Sequence, residues 1–148
     1  MTPVAVRLEQ APGSAGRAAV LFDPDCGFCR VVLALLLRWD TESRLRPVAL
    51  GTEEADALLH GMPEDEQMAS WHLVETGRLH SGGAAFPSVF ARLPGGRPLA
   101  WASERFPRAS DRFYRWVADH RSLLGRPIPA SVRRWADRVI SGSRPHGR

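Results

Sequence analysis

The sequence predicts a single α/β domain, and three observations predict it. The first is a short apolar run, Ala18 to Phe22, that stops at Asp23-Pro24-Asp25, the pattern of a buried strand entering a tight loop. The second is the alternation of such runs with helix-length patterns, giving the order β-α-β-α-β-β-α over residues 18–96. The third is size: 148 residues, 44% hydrophobic and 24% charged, suit one sizeable core rather than two. Further helices follow, so the expected division is a flexible lead over residues 1–17, the α/β core over 18–96, a helical extension packed on it over 97–141, and a disordered tail over 142–148.

Each element has its own signal. The lead mixes Pro, Gly, Ser and charge without periodicity, although Val4, Val6 and Leu8 alternate as a short edge strand would. Phe28 to Trp39 is nearly all apolar, and its length favours a largely buried helix over a strand. Leu45 to Leu50 is the second strand, with Pro47 arguing against a central ladder position because it has no amide donor. Thr52 suits an N-cap, Glu53 and Glu54 the first helical turn, and Ala55, Leu58 and Leu59 the apolar face. An acidic loop, Glu64 to Gln67, leads to a third strand over Ser70 to Glu75, and Thr76-Gly77-Arg78 turns the chain back through Leu79 and His80. Gly82-Gly83 closes that strand. Ala84 to Leu93 follows as a helix in which Pro87 must sit in the first turn, and Pro94-Gly95-Gly96 stops it. Two more helical patterns remain, Ser110 to Leu124, with Phe113, Trp116, Val117, His120 and Leu124 on one face, and Ala130 to Ile140.

Composition removes several chemistries. All 20 basic residues are Arg, so Schiff-base and P-loop lysine mechanisms are excluded, and the site is read without cofactor or metal. The formal charge of +4 is uneven: residues 1–96 carry 8 Arg against 12 acids, and residues 97–148 carry 12 Arg against 4. The longest apolar run, Val31 to Leu37, falls far below the roughly 20 residues of a membrane span, and no secretory signal is read at the N-terminus. A cytoplasmic location is expected. Oligomeric state leaves no trace in the sequence.

The chemistry lies in the two cysteines, Cys26 and Cys29, spaced Cys-Gly-Phe-Cys between a buried strand and a helix. In a reducing compartment a lone pair serves redox chemistry or a metal more readily than it staples a fold. At a helix N-terminus, unpaired amides and the dipole favour a thiolate. An ordinary thiol of pKa about 8.5 is roughly 3% ionised at pH 7, and lowering that pKa to about 7 makes it half ionised. Cys26 is therefore the expected nucleophile. Cys29, nearly one turn on, is the resolving thiol, within reach of a mixed disulfide on Cys26. Gly27 leaves backbone room for an incoming chain, and Phe28 turns either toward the core or onto a docking rim. Asp23 and Asp25 oppose a thiolate by charge. Each has two readings: a general base that takes the proton of Cys29, or a structural group, with Asp25 capping the helix and Asp23 fixing the loop.

Val20-Leu-Phe-Asp-Pro-Asp-Cys-Gly-Phe-Cys29 resembles the signature of the DCC family of thiol-disulfide oxidoreductases, named for its Asp-Cys-x-x-Cys motif. The likeness continues in Leu73-Val-Glu-Thr-Gly-Arg-Leu-His-Ser-Gly82 with Ala84-Ala85, and in Tyr114-Arg-Trp-Val-Ala-Asp-His-Arg121, so that it spans about residues 18–125. It implies a thioredoxin-like fold, with a glutaredoxin-like core and extra C-terminal helices. It also implies dithiol–disulfide exchange with a disulfide-containing protein or small-thiol partner, with the family's cysteines falling on Cys26 and Cys29 and its motif Asp on Asp25. Pro24 replaces the more usual Gly and stiffens the loop. Thioredoxins at large carry a cis-Pro before the strand that faces the active site, whereas Met68-Ala-Ser-Trp71 has no Pro, and Ser70 takes that place.

Three other readings stand beside this one. Cys26, Cys29, His72 and His80 would suit tetrahedral zinc by type though not by spacing. The basic C-terminal third, with Trp101, Phe106, Phe113, Tyr114, Trp116 and Trp135 among its arginines, would suit nucleic acid or an acidic partner. The simpler expectation is that these aromatics bury against the domain while the arginines face solvent. A thioredoxin-like fold kept as a non-catalytic interaction module is the third.

Overall fold

The computed structural model describes residues 17–143, so the strand considered around Val4 to Leu8 lies outside the described residues. The central strand is β1, Ala18–Phe22, buried along its whole length. It pairs in parallel with β2, Leu45–Ala49, and antiparallel with β3, His72–Glu75, which pairs antiparallel with β4, Arg78–Ser81. The order β2-β1-β3-β4 is the thioredoxin-like arrangement. A central strand covered on both faces needs no polar alternation, which explains why Ala18 to Phe22 is apolar throughout. Pro47 sits in β2 opposite Val20. Because β2 is an edge of the sheet, its missing amide breaks no second ladder.

Side-chain alternation along β1 divides the core in two. Ala18, Val20 and Phe22 point into a cluster with Leu33, Leu37, Leu73, Val89 and Ile140, while Ala19 and Leu21 join Val48, Ala55, Leu59 and Val74 on the other face. The first cluster is roofed by α1 (Gly27–Trp39), α4 (Phe86–Arg92) and α7 (Ala130–Ser143), and the second by α2 (Glu53–Leu58). The buried Asp40 accepts the amides of Arg44 and Leu45 at 2.9 and 2.8 Å and so fixes the start of β2. Thr52 caps α2 by accepting the Ala55 amide. Thr76 and Gly77 both have positive φ, 42° and 77°, as a two-residue hairpin turn requires.

Several expectations need correction. The acidic segment expected as a loop is helix α3, Glu64–Ala69, whose first turn holds Glu64, Asp65 and Glu66, the charge a helix N-terminus favours. Strand β3 consequently starts at His72, two residues after Ser70. A 3-10 turn, Gly82–Ala85, precedes α4, and Pro87 lies in the first turn of α4 as anticipated. Helix α5, Arg97–Arg105, was not read from the sequence, and α6 runs over Pro107–Gly125 rather than from Ser110. Pro98 and Pro107 each occupy a first helical turn, where a missing N–H costs nothing. Helix α7 continues through Gly142 and Ser143, where the sequence predicts the start of the tail.

Two burial expectations also fail. Helix α1 buries only Leu33, Ala34 and Leu37 and leaves Leu35 57% exposed, because one stripe faces the sheet. The aromatics of the C-terminal helices do not all bury: Trp101 is 64% and Phe113 61% exposed, and Phe106 and Trp116 are also exposed. Tyr114 and Trp135 are half-buried. The face that α6 turns toward the cavity holds Ser110, Phe113, Tyr114, Val117, Ala118 and Arg121; it shares Phe113 and Val117 with the face read from the sequence but has Tyr114, Ala118 and Arg121 in place of Trp116 and His120.

Candidate active site

Strand β1 delivers the chain to a loop that its own side chain shapes. Asp23 accepts the Asp25 amide on Oδ1 at 2.9 Å, and its carbonyl accepts the Cys26 amide at 3.3 Å. The helix therefore opens one residue later than a cap at Asp25 would allow. Cys26 is the N-cap of α1, and its Sγ accepts the Cys29 amide at 3.2 Å. Asp25 is exposed and Asp23 half-buried. Asp23 thus shapes the loop, and the cap is Cys26 rather than Asp25.

Cys26 and Cys29 are joined as a disulfide with their Cα atoms 5.2 Å apart. The sulfur that caps α1 is thus also bonded to its neighbour one turn on. In the reduced pair, the Cys29 amide and the helix N-terminus both favour negative charge on Cys26. The space above Gly27, expected to admit an incoming chain, is taken by Arg133 of α7. A Cβ at Gly27 would lie 3.3 Å from Arg133 Cδ. Arg30, in the first turn, pairs with Asp137 of α7 at 3.2 Å, so α7 is held against the cysteine end of α1.

Beside the pair lies a cavity of about 630 Å³ enclosed by α1, α4, α5 and α6, with Cys29 in its wall. Phe28, Val32, Phe86, Phe90 and Leu99 make it largely apolar, and Asp23 and Arg121 supply its charged groups. Phe28 therefore faces this cavity, which resolves the choice between core and rim. Ser70 and Trp71 line it too. The Trp71 amide donates to Tyr114 Oη at 2.8 Å, and the two rings stack with centroids 6.4 Å apart. Burial pushes the Tyr114 hydroxyl up from its ordinary pKa, against the opposing effects of the Trp71 amide and Arg121. Close backbone approach makes this docking possible: a Cβ at Gly83 would sit 2.8 Å from the Asp111 amide nitrogen, and Gly82, at φ +60°, packs under the Tyr114 ring.

The four groups considered for zinc are not assembled. His72 is buried, with Nε2 on the Gln67 carbonyl at 3.0 Å and Nδ1 on Ser81 Oγ at 2.7 Å. A carbonyl only accepts, so Nε2 carries the proton and Nδ1 accepts from the serine. His80 pairs instead with Glu75 at 3.2 Å. Among the described residues no three His, Cys, Asp or Glu side chains cluster to hold a metal ion. Glu75 also accepts Arg92 at 2.8 Å. Burial alone would raise this carboxyl, but the Arg92 and Ser88 hydrogen bonds and the charge of Arg92 hold it below its usual value. Also among the described residues, no helix is long and apolar enough to cross a membrane.

Sequence reasoning missed Arg121, Arg133 and the cavity. Arg121 had a readable signal, since it lies at i+7 from Tyr114 on one helical face. Arg133 had none, because its contact with Gly27 joins elements about 100 residues apart.

The sequence model of the DCC1-like thiol-disulfide oxidoreductase family matches residues 20–127. No curated protein and no solved structure matches the chain.

Proposed function

The chain belongs to the DCC1-like thiol-disulfide oxidoreductase family, and on that premise we propose that Cys26 and Cys29 exchange a dithiol for a disulfide with a protein or small-thiol partner. Reduced Cys26, as thiolate, attacks a sulfur of the partner disulfide, and one partner thiolate leaves and takes up a proton. Cys29 then loses its proton and attacks Cys26 Sγ. The second partner thiol is expelled and the Cys26–Cys29 disulfide closes, two electrons having passed to the partner. The observation that carries this reading is that the sulfur at the N-cap of α1 both accepts the Cys29 amide and bonds to Cys29 Sγ. Asp23, half-buried at the cavity wall, is the proposed acceptor of the Cys29 proton, and the exposed Asp25 acts on the pair only through solvent. The proposed setting is cytoplasmic, where a reducing pool would keep the thiols of the pair available.

Equilibration with glutathione buffers of graded ratio tests this. The expected result is a reversible two-electron transition of the pair, with Cys29→Ser accumulating a mixed disulfide on Cys26 and Cys26→Ser accumulating none. A pair that stays oxidised in every buffer, or a Cys26→Ser variant that traps partners as well as Cys29→Ser does, would refute the assignment.

A further inference from the structure

The cavity beside Cys29 has the volume of a small-molecule site, within the range of roughly 300–1,000 Å³ typical of ligand pockets. Its wall is built from aromatic and aliphatic side chains of four helices, with Arg121 its cation and Asp23, on the loop before the cysteines, its carboxylate. Arg121 is half-buried and makes no ion pair among the described residues. A cation partly withdrawn from water favours an anionic partner, and the apolar wall favours an alkyl body. Cys29 in the same wall sets the ligand's reactive end beside the disulfide.

Resting on the redox reading above, we infer that the partner of the Cys26–Cys29 pair is a small alkyl dithiol, or its disulfide, that carries an acidic group held by Arg121. In the reducing direction one ligand thiolate attacks Cys26 Sγ and breaks its bond to Cys29, which leaves as thiolate and gains a proton. The second ligand thiol, losing its proton, attacks the ligand sulfur bonded to Cys26 and releases Cys26. The ligand is oxidised to a disulfide and the protein is reduced by two electrons. The half-exposed Leu99 and the exposed Phe106 and Phe113, which also line the cavity, form its entrance between α5 and α6.

The test compares reduction of the oxidised full chain by dihydrolipoic acid, an alkyl dithiol with a carboxylate, and by dithiothreitol, a polar neutral one. The expected result is a higher second-order rate constant for dihydrolipoic acid. Arg121→Gln should lower the ratio of the two by about tenfold, the worth of a charge-assisted hydrogen bond. Ala102→Phe, which fills the cavity from α5, should lower the same ratio. Octanoate, with chain and acid but no sulfur, should bind the oxidised protein in calorimetry, more weakly after Arg121→Gln. A ratio near one that neither variant moves, without octanoate binding, overturns the inference and leaves the redox reading standing. Octanoate binding by a protein whose cysteines never equilibrate with glutathione removes the redox reading, and the substrate class with it.

Discussion

The sheet with its two apolar clusters and the pair of helices α5 and α6 solve opposite problems with similar residues. In the first, β1 hides all five of its side chains and Leu73, Val89 and Leu21 lose nearly all contact with water. In the second, Trp101, Phe106, Phe113 and Trp116 remain exposed, and α6 buries no residue fully over 19 positions. Large apolar residues in α5 and α6 therefore contribute little to the hydrophobic driving force. Of these, Phe106 and Phe113, together with Leu99, line the cavity and form its mouth. Stability resides in the sheet, and access to the cysteine pair resides in the helices.

Leu73→Ala breaks the comparison on its stable side. Leu73 is fully buried on β3 between β1 and the helices of the larger cluster, so truncation should cost about 3 kcal/mol from lost transfer energy and the space left behind. The shift in the midpoint of chemical denaturation checks it. A loss under about 1 kcal/mol would mean the sheet is not the stabilising half.

Gly83→Ala acts on the join between the halves. The added methyl meets backbone atoms of Ser110 and Asp111 at 2.8 Å, and backbone cannot rotate aside as a side chain does. Helix α6 must move, at an expected cost of about 1–3 kcal/mol. The same movement should break the hydrogen bond from the Trp71 amide to Tyr114, which a change in tryptophan emission before unfolding would report. Unchanged emission would mean that α6 is not held by this contact.

The same division decides what could be read from the sequence. The β-α-β-α-β-β core was legible because its strands and helix faces carry the periodicity that burial imposes, and because Thr52, Thr76-Gly77 and Pro87 obey local rules of caps, turns and first helical turns. The cysteine pair was legible for a similar reason, since its spacing at a strand–helix junction sets the two residues nearly one turn apart, although the cap itself fell on Cys26 rather than Asp25. The helical extension was less so. In α6 the largest apolar residue, Trp116, lies on the solvent side and Phe113 sits exposed at the cavity rim, while Tyr114, Val117 and Ala118 face in, so hydrophobic weight pointed partly away from the true face. Arg121 was legible only through its helical spacing from Tyr114, and the glycine contacts that permit α6 to dock depend on a fold already formed.

The pH response tests whether the sheet carries a titratable weak point. Burial lowers the pKa of His72, with hydrogen bonding to the backbone of Gln67 and Glu66 opposing less strongly. The unfolded chain then binds the extra proton more readily than the folded one. Stability should be constant above about pH 7.5 and decline as pH falls through 6.5 toward the lowered folded value. Glu75 acts in a separate window: its folded pKa is depressed, so its contribution is complete above 4.5 and is lost only at lower pH. Denaturation midpoints between pH 8 and 5.5 should therefore report the imidazole, and His72→Gln should flatten that part of the profile. A slope that survives the substitution would assign the titration elsewhere.

The smallest effect is expected where a sequence-based estimate of burial would place a large one. Trp116 carries the largest side chain of any residue type, but it is 54% exposed and its ring stacks on the His120 ring at 4.6 Å. Trp116→Ala removes that stack, worth a fraction of a kcal/mol at an exposed site, and gains helix propensity of similar size because alanine is the better helix former. The net change should stay within about 0.5 kcal/mol in chemical denaturation. A loss above about 1.5 kcal/mol, growing with protein concentration, would show that in solution this face is covered by a second copy of the chain, since only association makes apparent stability depend on concentration. The contrast between a burying sheet and an open helical pair would then hold for the isolated chain and fail for the assembled one.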